Sequence, residues 1–356
     1  MPTALEIAQG RQTRLSAGLL MSVQTLTPLF SAFDVRTTAE IDFLTLAMDS
    51  LPTSSFVRLG EGVSGGDAKL SIRKASCSRI GGLVTAAVDS ASLWDKTHAS
   101  SGLTWFGLQT DARVKADVKN IEKQMITGLA NDALGFPGAK DMTPFASGTI
   151  FTPAETSAKY EYVRPVLNVG NGISMTANTA SSAYSFVMGP LDCQIVLGSD
   201  TGGDLFQFTE IIRQFVANPS DANKQILKDM AQILGHVGFA VGGFSPDMVG
   251  QAIPTQYSLR RAANITADVG AKMTDAVMDK LARSHGPGKT PNLFAMSARS
   301  GEQLAASRQP TAVNIALGAG PAIAQTYNTY PEPPNNWRGI PIVYPLCIGE
   351  ADAVEA

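Results

Sequence analysis

The chain has 356 residues, enough to bury one large core or two or three smaller ones without help from disulfides or metals. A net charge of −3 excludes a global basic footprint for nucleic acid. Charged residues make up only 17% of the chain, against roughly 25% in an average soluble domain, so its surface repels copies of itself weakly.

Residues 1 to 50 mix short apolar patches with Thr, Ser and Gln and read as an arm without a core of its own. Glu6, Arg11 and Arg14 fall where a signal peptide needs an apolar stretch. Ser55–Leu59 reads as a strand and Gly60–Gly66 as a flexible loop. Lys69–Lys74 (KLSIRK) alternates apolar and polar residues with a period of two, and Arg79–Asp89 reads as the strand that returns beside it. A two-stranded ribbon is marginal alone in water and needs a platform, which a neighbouring subunit would supply.

Leu108–Asn131 is the clearest helix. Val114, Val118, Ile121, Met125 and Leu129 form one apolar stripe with 4-3-4-4 spacing. Asp111 with Lys115, and Arg113 with Asp117, stand at i,i+4 on its polar side. Gly135 and Pro137 mark the stop. Further on, strand-like pieces appear at Tyr160–Val166 and Ala183–Met188. Leu205–Val216 and Asp221–Leu234 read as two helices, with a glycine-rich run from Gly235 to Gly243 behind them. Thr274 is a plausible N-cap for a helix ending at Arg283, with Asp275 placed favourably for the helix dipole. Asn292–Met296 reads as a strand and Ser300–Ser307 as a short helix. Ile340–Ile348 is a strand-like run close to the C-terminus.

The residues an enzyme would need do not assemble in the sequence. Gly60, Gly62 and Gly65 match a dinucleotide fingerprint by spacing, but a strand follows instead of the required helix. Gly288-Lys289-Thr290 has the end of a phosphate-binding loop, yet Arg283 holds the first-glycine position and Pro291 interrupts the helix that ought to follow. His98, His236 and His285 lack a second ligand at metal spacing. Cys77, Cys193 and Cys347 are widely separated and read as reduced thiols. No run reaches about 18 apolar residues, so no membrane span is expected. Together these features indicate a soluble protein made in a cytoplasm. Carboxylates such as Asp192 and Asp200 leave acid/base chemistry open without arguing for it.

The order of the pieces carries more than any one of them. A long helix ends in ANDALGFPG (130–138), MTDAVMDKLARSHGPGKTPNLFAMSARSGEQLAASRQ follows (273–309), and NWRGIPIVYP (336–345) stands near the C-terminus. This layout resembles the major capsid proteins of tailed bacteriophages with the Hong Kong 97-like fold. The matching places are Met273–Asp275, Phe294–Arg299, Gln303-Leu304, Ser307-Arg308 and Gly339–Ile342, with Glu350 in the place of the family's last acidic residue. Tyr344-Pro345 departs from the pattern, and residues 141–200 have no counterpart in it.

The resemblance implies an α+β capsid fold. An N-terminal arm (1–50) would precede an extended β-hairpin loop (51–100) and a peripheral domain with a long spine helix (101–140). An axial domain plus peripheral-domain strands would occupy 141–335, and a closing strand and tail 336–356. It implies intersubunit contacts through Arg58, Glu61, Lys69, Arg73 and Lys74 of the extended loop. It also implies a spine-helix core of Val114, Val118, Ile121, Met125 and Leu129, with no catalytic residue, cofactor or metal. The expected partners are copies of itself in hexamers and pentamers, portal, scaffolding and decoration proteins, and packaged double-stranded DNA by non-specific proximity. No membrane is expected among them. The expected place is the virion capsid, assembled in the bacterial host cytoplasm. An encapsulin-like compartment shell and an α+β enzyme with carboxylate chemistry are the alternatives.

Overall fold

The computed structural model describes residues 26–38, 42–50, 69–98, 104–143, 166–170, 179–198, 205–218, 221–242, 258–285, 289–308, 332–349 and 352–353. Along the chain come helix α1 (Pro28–Ala32) and strands β1 (Val35–Thr37), β2 (Asp42–Ser50), β3 (Lys69–Ser76) and β4 (Ser78–Ala87). Helices α2 (Val88–Thr97), α3 (Trp105–Thr127) and α4 (Ala139–Met142) follow, then strands β5 (Val166–Asn168), β6 (Thr179–Phe186) and β7 (Gln194–Leu197). Strands β8 (Gln207–Phe208), β9 (Ile212–Asn218), β10 (Asp221–Ala240) and β11 (Leu259–Ile265) lead to helix α5 (Asp275–Arg283). The chain continues through β12 (Leu293–Met296), α6 (Ala298–Arg308), β13 (Asn336–Trp337), β14 (Ile340–Val343) and β15 (Asp352–Ala353). These elements form two compact units, the first within 1–142 and 188–254, the second within 143–187 and 255–356.

The first unit is organised by β10, a strand of 20 residues. It pairs antiparallel with β4 over Lys228↔Ala87 to Val237↔Ser78, and also with β7, β8 and β9; β1 joins β7 in parallel. One sequence expectation is corrected here. Leu205–Val216 and Asp221–Leu234, read as two helices, hold strands β8, β9 and the first part of β10; their apolar residues recur at helical spacing, as in Ile226, Leu227, Met230, Ile233 and Leu234, so the pattern does not mark a strand. The glycine-rich run at 235–243 is in part the continuation of β10. A Cβ on Gly235 would lie 2.5 Å from the Leu205 carbonyl oxygen, and one on Gly238 would lie 2.8 Å from that of Ser76. Neighbouring backbone thus passes where side chains would stand.

The ribbon partner is corrected as well. β3 does not pair with β4; it pairs antiparallel with β2, from Asp42↔Ser76 to Ser50↔Lys69, while β4 joins β10. Residues 26–50, expected to lack a core, contribute α1, β1 and β2, and Leu29 and Phe33 are fully buried. Phe33 packs edge-on to Phe239 with centroids 5.5 Å apart.

The second unit holds a sheet in the order β13-β14-β12-β6-β11-β5, with β15 added to β6. Every residue of β11 and β12 is buried, which fits central strands covered on both faces. Helices α5 and α6 supply Met278, Leu281 and Leu304 to a core shared with Ile265, Phe294, Met296, Trp337 and Ile342. α5 starts where expected, with the Thr274 hydroxyl accepting the Val277 amide. The run near the C-terminus becomes β14, which lies parallel to β12 through Phe294↔Ile342 and antiparallel to β13. The β13–β14 turn is Arg338-Gly339, both at positive φ (49° and 83°), the form a two-residue hairpin requires.

Candidate assembly surface

Two of the sequence pieces that define the layout, 273–309 and 336–345, fall in the second unit, and their chemistry there is that of stitching. Asp275 takes the Arg308 guanidinium at 2.7 Å and the Trp337 indole N–H at 2.9 Å, so three distant segments close on one carboxylate. The hydrogen bond from Arg308, followed by that from Trp337, holds the Asp275 carboxyl below the usual carboxylate range. Gln303 accepts the Met273 amide (2.9 Å) and donates to the Thr266 carbonyl (2.8 Å). Tyr344 donates to the Pro334 carbonyl at 2.6 Å. Burial pushes its phenol up to about 12.

The long helix carries the equivalent ties in the first unit. Val118, Ile121 and Met125 are buried, Val114 is half-buried, and Leu129 is exposed, in the 3-10 turn (Gly128–Ala130) that ends the helix. The stripe therefore shifts at its end from Leu129 to Ile126, which is buried. Gln124 donates to the carbonyls of Asp132 and Phe136, and Asp141 accepts the amides of Leu129 (2.7 Å) and Gly138 (3.0 Å). These bonds fix the ANDALGFPG turn and leave Leu134 at its tip 91% exposed. On the buried side, Glu122 accepts the Phe30 amide at 2.9 Å and so ties α1 to α3. Desolvation raises its carboxyl to about 7, against the opposing bonds from the Phe30 and Leu29 amides. Asp117 is raised by burial too, with Arg113 beside it working the other way.

Of the loop residues expected at subunit contacts, Arg58 and Glu61 lie outside the described residues. Lys69 and Arg73 fall on the backbone of β3. Lys74 reaches back across the ribbon to Asp42 at 2.7 Å and lowers that carboxyl by its hydrogen bond. What the sequence did not single out is the distribution of exposed apolar side chains. Thirteen large ones are exposed among the described residues, and eleven of these belong to the first unit. Leu44 and Ile72 stand on the β2–β3 ribbon; Phe208, Ile211, Ile212 and Phe215 lie on and before β9, with Ile212 and Phe215 on opposite faces of that strand. Among its described residues the second unit exposes only Val269 and Leu346. Phe208, Ile211, Ile212 and Phe215 stand at i, i+3, i+4 and i+7, so the segment mimics the apolar stripe of a helix and gives no signal of an exposed strand.

Among the described residues no three His, Cys, Asp or Glu side chains gather as for a metal ion, and no helix is long and apolar enough to cross a membrane. Ser185 Oγ and His285 Nε2 are 2.7 Å apart, a nucleophile-and-base distance, but both residues are fully buried, away from any substrate. His236 is half-buried on β10, and His98 is exposed and stacked on Trp94 at 4.3 Å. Asp192 is described while Asp200 and the glycines at 60, 62 and 65 lie outside.

No family model matches the chain, and no curated protein matches it. Among solved structures it is similar to one of bacteriophage Epsilon15 at 14% identity and a TM-score of 0.45, covering 92% of this chain and 89% of that one. A bacteriophage JBD30 capsid structure gives 11% identity, a TM-score of 0.36, and coverage of 74% and 76%. The holo-SrpI encapsulin complex of Synechococcus elongatus gives 11%, 0.37, and coverage of 67% and 88%.

Proposed function

We propose that this chain is the major capsid protein of a tailed bacteriophage, a non-catalytic subunit that self-assembles through hexamers and pentamers into an icosahedral shell around double-stranded DNA. The observation that carries this reading is the concentration of exposed apolar side chains on the first unit, most of all on its paired ribbons. A soluble monomer rarely leaves large apolar groups clustered on strand pairs with open edges, whereas copies in a closed lattice cover them. The order of the ANDALGFPG, MTD, SR and NWRGIPI pieces supports the same reading.

On this proposal α3 is the spine helix, and the β2–β3 ribbon is the stem of the extended loop. The first unit otherwise corresponds to the peripheral domain and the second to the axial domain. Lys69, Arg73, Lys74, Arg58 and Glu61 would act at neighbouring subunits. Portal, scaffolding and decoration proteins would be further partners, and assembly would take place in the host cytoplasm. Electron microscopy of the purified recombinant protein tests this. Shells, tubes or rings of five and six are expected, with absorbance at 260 nm distinguishing nucleic acid from a protein cargo. A compact monomer with no higher species under any assembly condition would contradict the proposal.

A further inference from the structure

At the end of α5 two guanidiniums share one carboxylate. Arg283 Nη2 lies 2.6 Å from Asp279 Oδ2, and Arg338 Nη1 lies 2.8 Å from Asp279 Oδ1. Asp279 is largely covered, whereas the two arginine side chains are 69% and 67% exposed. The nearby Asp275 is already matched by Arg308. Three guanidiniums thus meet two carboxylates and leave one positive charge over, and the exposed Lys280 on the same helix adds to it.

Arg338 is held for this position. It sits at φ 49° in the β13–β14 turn, a left-handed conformation that residues other than glycine seldom adopt. Its guanidinium lies 4.5 Å over the ring of Trp337, which is buried and anchored through its N–H to Asp275. Backbone turn, indole face and Asp279 therefore aim one fork beside the other within the width of a single carboxylate. Two such forks suit one phosphate diester, which accepts several charge-assisted hydrogen bonds at once.

We propose that Arg283 and Arg338 form a phosphate-binding site for nucleic acid, a proposal that rests on the capsid reading for the identity of that nucleic acid as the enclosed genome. A protein partner fits less well. Interfaces between proteins are anchored by buried apolar and aromatic groups, and among the described residues of the second unit Val269 and Leu346 are the only large apolar side chains left exposed. A nucleic-acid backbone needs charge alone. One such site per subunit in a chain of net charge −3 binds weakly, and repetition over many copies would order a packed duplex without arresting it.

The test uses the full-length subunit before assembly and a fluorescent mixed-sequence DNA duplex of about 30 base pairs, titrated by anisotropy between about 50 and 200 mM salt. Replacing both arginines by glutamine (R283Q/R338Q) is expected to weaken binding several-fold at the lowest salt. It should also flatten the plot of log K against log salt by about 0.9, because one phosphate fewer is neutralised and its counterion stays on the duplex. R283K/R338K should keep the slope, and R213Q, which removes an exposed arginine from the other unit, should leave it unchanged. Failure of the wild-type chain to bind, or an unaltered slope in R283Q/R338Q, overturns the site. A variant that no longer forms particles yet keeps the wild-type slope would make the pair an interface between subunits, which also overturns it. An arginine-dependent slope in a chain that never forms shells would uphold the site and sink the capsid reading instead.

Discussion

The two units spend similar sequence material in opposite ways. In the second, β6, β11 and β12 bury nearly every side chain within the chain itself, and the motif residues close on Asp275, Gln303 and Tyr344. In the first, β9 is almost wholly exposed, and apolar residues such as Ile212 and Phe215 are left uncovered by the described residues of their own unit. The difference teaches that a strand's apolar content says how much surface it will bury, not whose surface will cover it.

The contrast breaks most severely if a charge enters the buried side of the long helix. Ile121→Asp should abolish folding of the first unit, since an unpaired buried carboxylate costs more than a domain's net stability of about 5–15 kcal/mol. Circular dichroism and solubility would show it. Phe294→Ala, in the core of the second unit, should cost about 3–5 kcal/mol in denaturant unfolding, because a large cavity opens beneath Trp337.

Glu122 gives a smaller effect with a defined pH sign. Its folded carboxyl is raised to about 7 from an ordinary 4.5 by desolvation, so the native state holds the proton more tightly than the unfolded chain. Below pH 4.5 both states are protonated and stability is at its full value. As pH rises toward 7 stability falls, by up to about 3 kcal/mol, and the full penalty persists above it. Glu122→Gln should flatten that fall, so its advantage over the wild type grows between pH 4.5 and 7 in chemical denaturation. The smallest stability effect is expected where the exposed apolar residues lie. Ile212→Ser with Phe215→Ser should change subunit unfolding by no more than about 0.5 kcal/mol.

Much of this was legible in the sequence. The 4-3-4-4 stripe placed α3 to within a few residues, and the Thr274 cap, the β12 strand and the terminal β14 strand were read from local signals that tertiary structure left intact. The stretch from 205 to 240 was not legible. Ile226, Leu227, Met230, Ile233 and Leu234 fit a helical stripe as well as a strand flanked on both sides, and the period cannot separate the two. Strand partners were hidden for a related reason. The alternation in KLSIRK shows a strand, but nothing local says that β2 rather than β4 lies beside it. The Asp275 cluster joins residues 33 and 62 positions apart, a closure that only the fold reveals.

The most direct test of the central claim compares assembly of the wild-type chain with the Ile212→Ser, Phe215→Ser double variant, by light scattering and electron microscopy under identical conditions. The account predicts particles from the wild type and, from the variant, folded subunits of unchanged unfolding midpoint that fail to build them. Normal particles from the variant would contradict the claim that this exposed apolar surface belongs to the interface between copies.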